Sequence, residues 1–319
     1  MSALGFSERD VTRDQASVES RLEAFREIDK DPSTPLLVST AQEDFGEDTE
    51  LPQIAATELC AEVLRNAMQQ QGCLLVRGLF PNEATTKLQR AIDHVLDACE
   101  ANAAGDAPQA HTFFAPPQNL SSIMPRHERE LGNTRSFHRE SGSAMCIEAP
   151  SIAEELLRWY ELHELKNLLT DYFGEKPCLS AKKWVLRRSR LPVAEAGWHQ
   201  DGAFMGTDIN SLNMWLPLNA CGGSTGAPGL DILPKRLSRI ASADGAQFDW
   251  SVSTSQVQQE AAQTGLTSPE FAPGDALFFD HFFLHRTQYG REFSKVRYAV
   301  ETWFFGESSF PKNQIPLAW

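Results

Sequence analysis

Apolar residues recur at helical spacing along TELCAEVLRNAMQQQG, residues 57 to 72, and Gly72 closes the run as a C-cap would. CLLVRGLF then reads as a strand, and PNEATTKLQRAIDHVLDACE opens a second helix with Pro81 near its start. SIAEELLRWYELHELKNLLTDYFG predicts one long helix closed by Gly174, with Ser151 as its N-cap and Glu154 three residues on. Beyond it the period changes. CLSAKKWVLRRS, GWHQDGAF, SLNMWLPLNA, LDILP, DALFFDHFFLHRTQ and VRYAVETWFF are short β-type runs, punctuated by the turn-rich CGGSTGAPG and APGD.

Several short strands without alternating helices predict a mainly β, α+β protein whose core is a double-sheet jelly roll, or double-stranded β-helix, buttressed by the earlier helices. Residues 1 to 50 are charged and weakly periodic, which predicts a partly helical N-terminal extension to a single domain over 51 to 319. The jelly roll itself is expected mainly at 177 to 305. Residues 101 to 150 are rich in Ala, Pro, Ser and Gly and are expected to form a lid or substrate loop. Arg126, Arg129, Arg135 and Arg139 there are candidate contacts for an anionic substrate, and His111, His127 and His138 are further candidates for substrate contact.

Composition narrows the partners. Forty-three acids against 29 bases give a formal charge of −14, which disfavours nucleic acid and anionic membrane surfaces and leaves a small molecule as the expected partner. The six cysteines stand singly with no CxxC pair, no apolar leader follows a basic start, and no run approaches a membrane span. A cytoplasmic protein with thiols acting as small core hydrophobes is the expectation.

The chemistry lies in the β-rich half. One residue separates His199 from Asp201, so on an extended segment both side chains leave the same face while Gln200 turns away, and Gly202 lets the backbone pass close by. Two imidazoles and one carboxylate on one octahedral face leave three positions open, the arrangement of non-haem iron(II) oxygenases.

His281 and His285 compete for the third position. They lie four residues apart, roughly 13 Å along an extended strand, so one of them is a bystander. YGREFSK reads as a hairpin connection, and a hairpin centred on Arg291 sets Arg297 directly opposite His285, with Cβ atoms roughly 5 Å apart. That register favours His285: a keto acid chelated beside it would meet the planar guanidinium of Arg297, the side chain best shaped for a carboxylate. Thr287, two residues on, points to the same side and can assist Arg297.

WHQDG, LNMWLPL, CGGSTGAPGLDILP, PGDALFFDHFFLHRT and VRYAV, with QGCLLVRGLFPNEATTKLQ upstream, resemble the phytanoyl-CoA dioxygenase family of iron(II)- and 2-oxoglutarate-dependent oxygenases. The resemblance spans roughly residues 55 to 305. It implies iron held by His199, Asp201 and His285, with O2 as the second cosubstrate and 2-oxoglutarate held by Arg297 with help from Thr287. It further implies Trp215 as an aromatic lining the cosubstrate pocket. Asn213 shares the face of Trp215 on SLNMWLPL, which sets it toward the site as a further candidate contact for 2-oxoglutarate, while Leu212, Met214, Leu216 and Leu218 share the other. Halogenating relatives replace the carboxylate with a small residue, so Asp201 implies hydroxylation or a comparable oxidation.

No CoA-thioester motif is evident, and Lys182, Lys183 and Arg188 read as solvated strand-edge charges. Two other classes fit the same residues: a cupin-like dioxygenase that uses no 2-oxoglutarate, and a non-catalytic jelly roll with a vestigial metal site. His94 and His163 fall in predicted helices and read as surface or interfacial.

Overall fold

The computed structural model describes residues 11–25, 51–105, 113–117, 128–246, 248–290 and 292–319. Its helices are α1 (Val11–Glu23), α2 (Ala61–Gln70), α3 (Asn82–Ala104), α4 (Glu128–Glu140), α5 (Pro150–Leu162), α6 (Leu165–Phe173), α7 (Gly202–Met205) and α8 (Thr254–Glu260). The strands are β1 (Gln53–Ala55), β2 (Cys73–Arg77), β3 (Ser143–Met145), β4 (Pro177–Arg188), β5 (Trp198–His199), β6 (Ser211–Pro217), β7 (Leu230–Ile232), β8 (Ser251–Val252), β9 (Ala276–Phe279), β10 (His285–Thr287), β11 (Tyr298–Gly306) and β12 (Pro316–Ala318).

Two sheets form the jelly roll expected from the strand pattern. The larger runs β1-β2-β9-β6-β11-β4-β12, with β3 also paired to β4; the smaller runs β7-β10-β5-β8. Apart from the parallel β1–β2 pair, every pairing is antiparallel. Around this core helix outweighs strand among the described residues, so "mainly β" holds for the core alone.

Period-two alternation assigns the faces of the larger sheet. Leu212, Met214, Leu216 and Leu218 join Val300 and Phe304 in the core packed beneath the helices. Trp215, Ala299, Trp303, Phe305, Leu277 and Phe279 face the other way, into a second core with Leu230 and Ile232 from the smaller sheet and Phe283 from the turn before β10. That second face lines the space between the sheets, the lumen, and Asn213 and Glu301 lie on it.

Three local expectations are corrected. Residues 151–173 form two helices rather than one, because Glu164 adopts a left-handed backbone (φ 57°) between α5 and α6. Ala149 occupies the N-cap of α5, and the Ser151 hydroxyl instead donates to Asp14 on α1 at 2.7 Å. That bond and the Arg21–Glu154 ion pair at 2.9 Å dock α1 on α5. The hairpin is also absent: β10 and β11 lie in different sheets, so His285 does not face Arg297. Arg291, its expected centre, lies outside the described residues, as do His111, Arg126 and His127.

Five of the cysteines are buried and Cys60 is exposed; none of the six is in a disulfide. No described helix is long and apolar enough to cross a membrane.

Candidate metal centre

β5 is two residues long and ends at His199; the chain then turns, and Asp201 takes the N-cap position of α7 with φ −62° and ψ −22°. His199 and Asp201 therefore do not share an extended strand, as the alternation argument assumed. Their convergence comes from the turn, and Gln200 fixes it. Fully buried, its amide donates to the carbonyls of Arg239 (2.9 Å) and Phe282 (2.6 Å) and accepts from the Ala241 N–H (2.7 Å). Gly202 is where the backbone must pass closely: its N–H donates to the His281 carbonyl at 2.8 Å, and a Cβ there would stand 2.7 Å from Ile240 Cδ1.

β10 places His285 directly across from His199 in the antiparallel β5–β10 pair, with ring centroids 4.4 Å apart. Nε2 of His285 is 3.9 Å from Oδ2 of Asp201, and one ligand atom from each of the three residues falls within 4.8 Å of the other two. Among the described residues this is the single cluster of three or more ligating side chains with that geometry.

The hydrogen bonds decide which ring nitrogens are available. Nδ1 of His199 donates to the Gly197 carbonyl at 2.9 Å, and Nδ1 of His285 to the Phe283 carbonyl at 3.1 Å. With Nδ1 of each ring held by a backbone carbonyl, Nε2 is the nitrogen left to face Asp201, oriented as metal-bound histidines require. Burial and the neighbouring His285 lower the His199 pKa to about 4, so the ring is neutral at pH 7. Two imidazoles and one carboxylate fit a divalent ion of the iron(II) type.

His281 is committed elsewhere. Its Nε2 donates to the Thr207 carbonyl (3.1 Å) and its Nδ1 accepts from the Ser211 hydroxyl (2.9 Å). It stands in the turn that carries the chain from β9 in one sheet to β10 in the other.

Arg297 reaches the lumen by a route other than the expected hairpin. Its backbone bonds to Ser189 after β4. Its Nη1 donates to the Gly229 carbonyl (3.3 Å), beside Leu230, which faces Thr287 across β7 and β10. The guanidinium lies 5.8 Å from the Trp215 ring, and the residue is 4% exposed. Burial pulls its pKa down to about 10, so it stays charged. Among the described residues no carboxylate lies within ion-pair range of it, and Nε has no partner. Glu301, the acid nearest along β11, is held by Arg187 through both Nε (2.9 Å) and Nη2 (2.6 Å). A buried, unpaired guanidinium is costly and fits an anionic ligand supplied from outside the chain.

Trp215 lines the same space, packed edge-on against Phe271 at 4.9 Å. Asn213 is fully buried, and neither atom of its amide has a partner. Lys183, read from sequence as a strand-edge charge, instead points inward, its Nζ 3.4 Å from Asp201 Oδ1 and 4.2 Å over the Phe204 ring. Strand parity carried that signal, since Lys183, Val185 and Arg187 alternate with Trp184 and Leu186, which face the helices.

The Arg129 side chain lies outside the described residues; the other candidates have structural partners. Arg135 is ion-paired with the buried Glu148, and Arg139 lies over the Phe114 ring. His138 uses both ring nitrogens, on Ser143 Oγ (3.2 Å) and the Lys182 carbonyl (3.1 Å). His94 stacks on Phe113, and His163 packs against Phe80 and Trp159. Lys182 bonds the Asn313 carbonyl, and Arg188 pairs with Asp93 and Asp97 on α3.

No family model and no curated protein matches the chain in sequence. In fold it is similar to EctD from S. alaskensis. The structure of EctD with 2-oxoglutarate and 5-hydroxyectoine aligns at a TM-score of 0.53 and 16% identity, over 88% of this chain and 82% of that one. The structure with bound Fe aligns at 0.50 and 16%, over 89% of each chain. The chain therefore shares the fold of a protein crystallised with iron and with 2-oxoglutarate.

Proposed function

We propose that the protein is an iron(II)- and 2-oxoglutarate-dependent oxygenase that hydroxylates, or oxidises in a comparable way, a C–H bond of a small molecule. One observation carries the reading: a buried, unpaired Arg297 lies in the lumen whose wall bears the His199–Asp201–His285 cluster. A dioxygenase without a dicarboxylate cosubstrate would leave that guanidinium without a counter-charge, and a vestigial metal site has no use for it.

His199, Asp201 and His285 would hold iron(II) through two imidazole Nε2 atoms and a carboxylate oxygen. Iron(II) with 2-oxoglutarate and O2 supplies oxidising power when bound, with succinate and CO2 as co-products. Arg297 would take the far carboxylate of the dicarboxylate, with Thr287 beside it and Trp215 forming one wall. Gln200 fixes the turn that aims His199 and Asp201. The aromatic rings of Phe279 and Phe283, 4.7 and 5.7 Å from that of His285, keep water from its inner side. The lid expected over 101–150 falls partly outside the described residues, and its described part includes the end of α3, α4 and β3. The resemblance to the phytanoyl-CoA dioxygenase family and the fold shared with EctD, crystallised with a hydroxylated small molecule, support the same reading.

Succinate release with iron(II), ascorbate, 2-oxoglutarate and a panel of small molecules tests it. Turnover should vanish in His199→Ala and Asp201→Ala; full turnover in either variant refutes the assignment.

A further inference from the structure

Asn213 is the sole described residue with two buried side-chain polar atoms that both lack a partner. Leaving an amide so is costly, and proteins rarely do it without a ligand or water to complete the bonds. Its place in the fold says which ligand. In register on one side stands Phe279 of β9, whose ring centroid lies 4.7 Å from that of His285. In register on the other side stands Trp303 of β11, fully buried, its indole N–H also unpartnered. Two residues further along β6 is Trp215, beneath Arg297; two residues back is Ser211, bonded to His281 beside the Asp201 turn. Asn213 therefore sits on the lumen floor between the metal cluster and Arg297.

We propose that Asn213 is a second polar contact for the dicarboxylate cosubstrate, donating through Nδ2 to an oxygen at its metal-proximal end, and that Trp303 positions the Asn213 amide. The inference rests on the oxygenase reading above. A 2-oxo acid carries acceptors only, so Asn213 must offer Nδ2 to it and find a donor for Oδ1. Trp303 supplies that donor: facing residues on paired strands bring Cβ atoms to roughly 5 Å, within reach of an indole N–H to Oδ1 bond after a side-chain rotation. The amide is then held with its N–H groups toward the ligand. Because Asn213 is fully buried at the lumen floor, the molecule that enters first, the cosubstrate, meets it before the primary substrate closes the mouth.

The test is the dissociation constant of 2-oxoglutarate for the iron(II)-loaded protein without oxygen, together with the melting temperature of the metal-free and ligand-free protein. Asn213→Leu should weaken 2-oxoglutarate about 10- to 100-fold while leaving the ligand-free melting temperature equal or higher, since an unpartnered buried amide has been removed. Trp303→Phe should weaken binding less, and less again in the Asn213→Leu background, because it acts through the amide. If Asn213→Leu does not fold, the isosteric Asn213→Asp carries the same affinity criterion. Unchanged affinity in the Asn213 variant, alongside lost affinity in Arg297→Leu, overturns this inference and leaves the oxygenase reading standing. Unchanged affinity in Arg297→Leu overturns both. A fall in ligand-free stability with affinity preserved assigns Asn213 a packing role and also overturns the inference.

Discussion

His285 faces His199 directly across the antiparallel pair β5–β10, and each ring is oriented by a backbone carbonyl that takes its Nδ1 proton. The smaller sheet's own register thus brings His285, rather than His281, up to His199. His285→Ala should abolish iron(II) binding, read as metal stoichiometry after desalting. His281→Ala should keep it, while the lost bonds to Ser211 and Thr207 lower stability by about 1–3 kcal/mol. The reverse pattern would exchange their roles.

Gln200 makes three bonds to backbone groups of two separate segments. Gln200→Ala should therefore destabilise the fold by about 2–4 kcal/mol, since buried carbonyls and an N–H lose their partner. Metal affinity should fall about tenfold or more, as for groups that orient ligands. Denaturant midpoints and competition with a metal indicator read the two effects separately.

Gly202 lies against Ile240 and the His281 carbonyl. In Gly202→Ala the added methyl should displace the turn, lowering iron(II) affinity with a stability loss of about 1–3 kcal/mol. Gly206→Ala, with nothing within 4 Å of its Cβ, isolates the cost of a positive φ (107°) from that of crowding. Iron affinity should be spared there.

His138 is buried on α4, facing Ser143, Lys182, Lys183, Arg187 and Glu301, and burial, with Arg187 adding to it, lowers its pKa from 6.5 to about 4. Between those values the unfolded chain binds the proton and the folded one does not, so stability is full above pH 6.5 and declines as pH falls toward 4. At pH 5 the loss from this residue should be about 2 kcal/mol. Urea midpoints at pH 7.5 and 5.0 should show that much more loss in the wild type than in His138→Asn. Equal losses would contradict it.

The fold and the site were legible in the sequence to different depths. Strand parity on SLNMWLPL separated the outward Leu212, Met214 and Leu216 from the inward Asn213 and Trp215, because each side chain's face depends on local geometry alone. The HxD spacing marked His199 and Asp201, although a turn held by Gln200 rather than an extended strand brings them together. Sheet membership was not legible. A polar connection between two apolar runs looks alike whether the runs pair as a hairpin or part into facing sheets, and β10 and β11 part. The expected neighbourhood of His285 and Arg297 thus rested on a wrong register, while the structure brings Arg297 to the lumen beside Gly229. The inward turn of Lys183 was recoverable from the parity of β4. The helix break at Glu164 left no such sign, since nothing in YELHELKN departs from helical spacing.

The central claim is that Arg297 supplies the counter-charge for a dicarboxylate chelated at the His199–Asp201–His285 cluster. Anaerobic titration of the iron(II) protein with 2-oxoglutarate tests it most directly through the weak visible charge-transfer band of the chelate. The band should develop at one equivalent in the wild type, and in Arg297→Leu it should require at least about a hundredfold more ligand. A wild type that binds iron(II) and gives no band, or an Arg297→Leu variant that titrates like the wild type, would contradict the account.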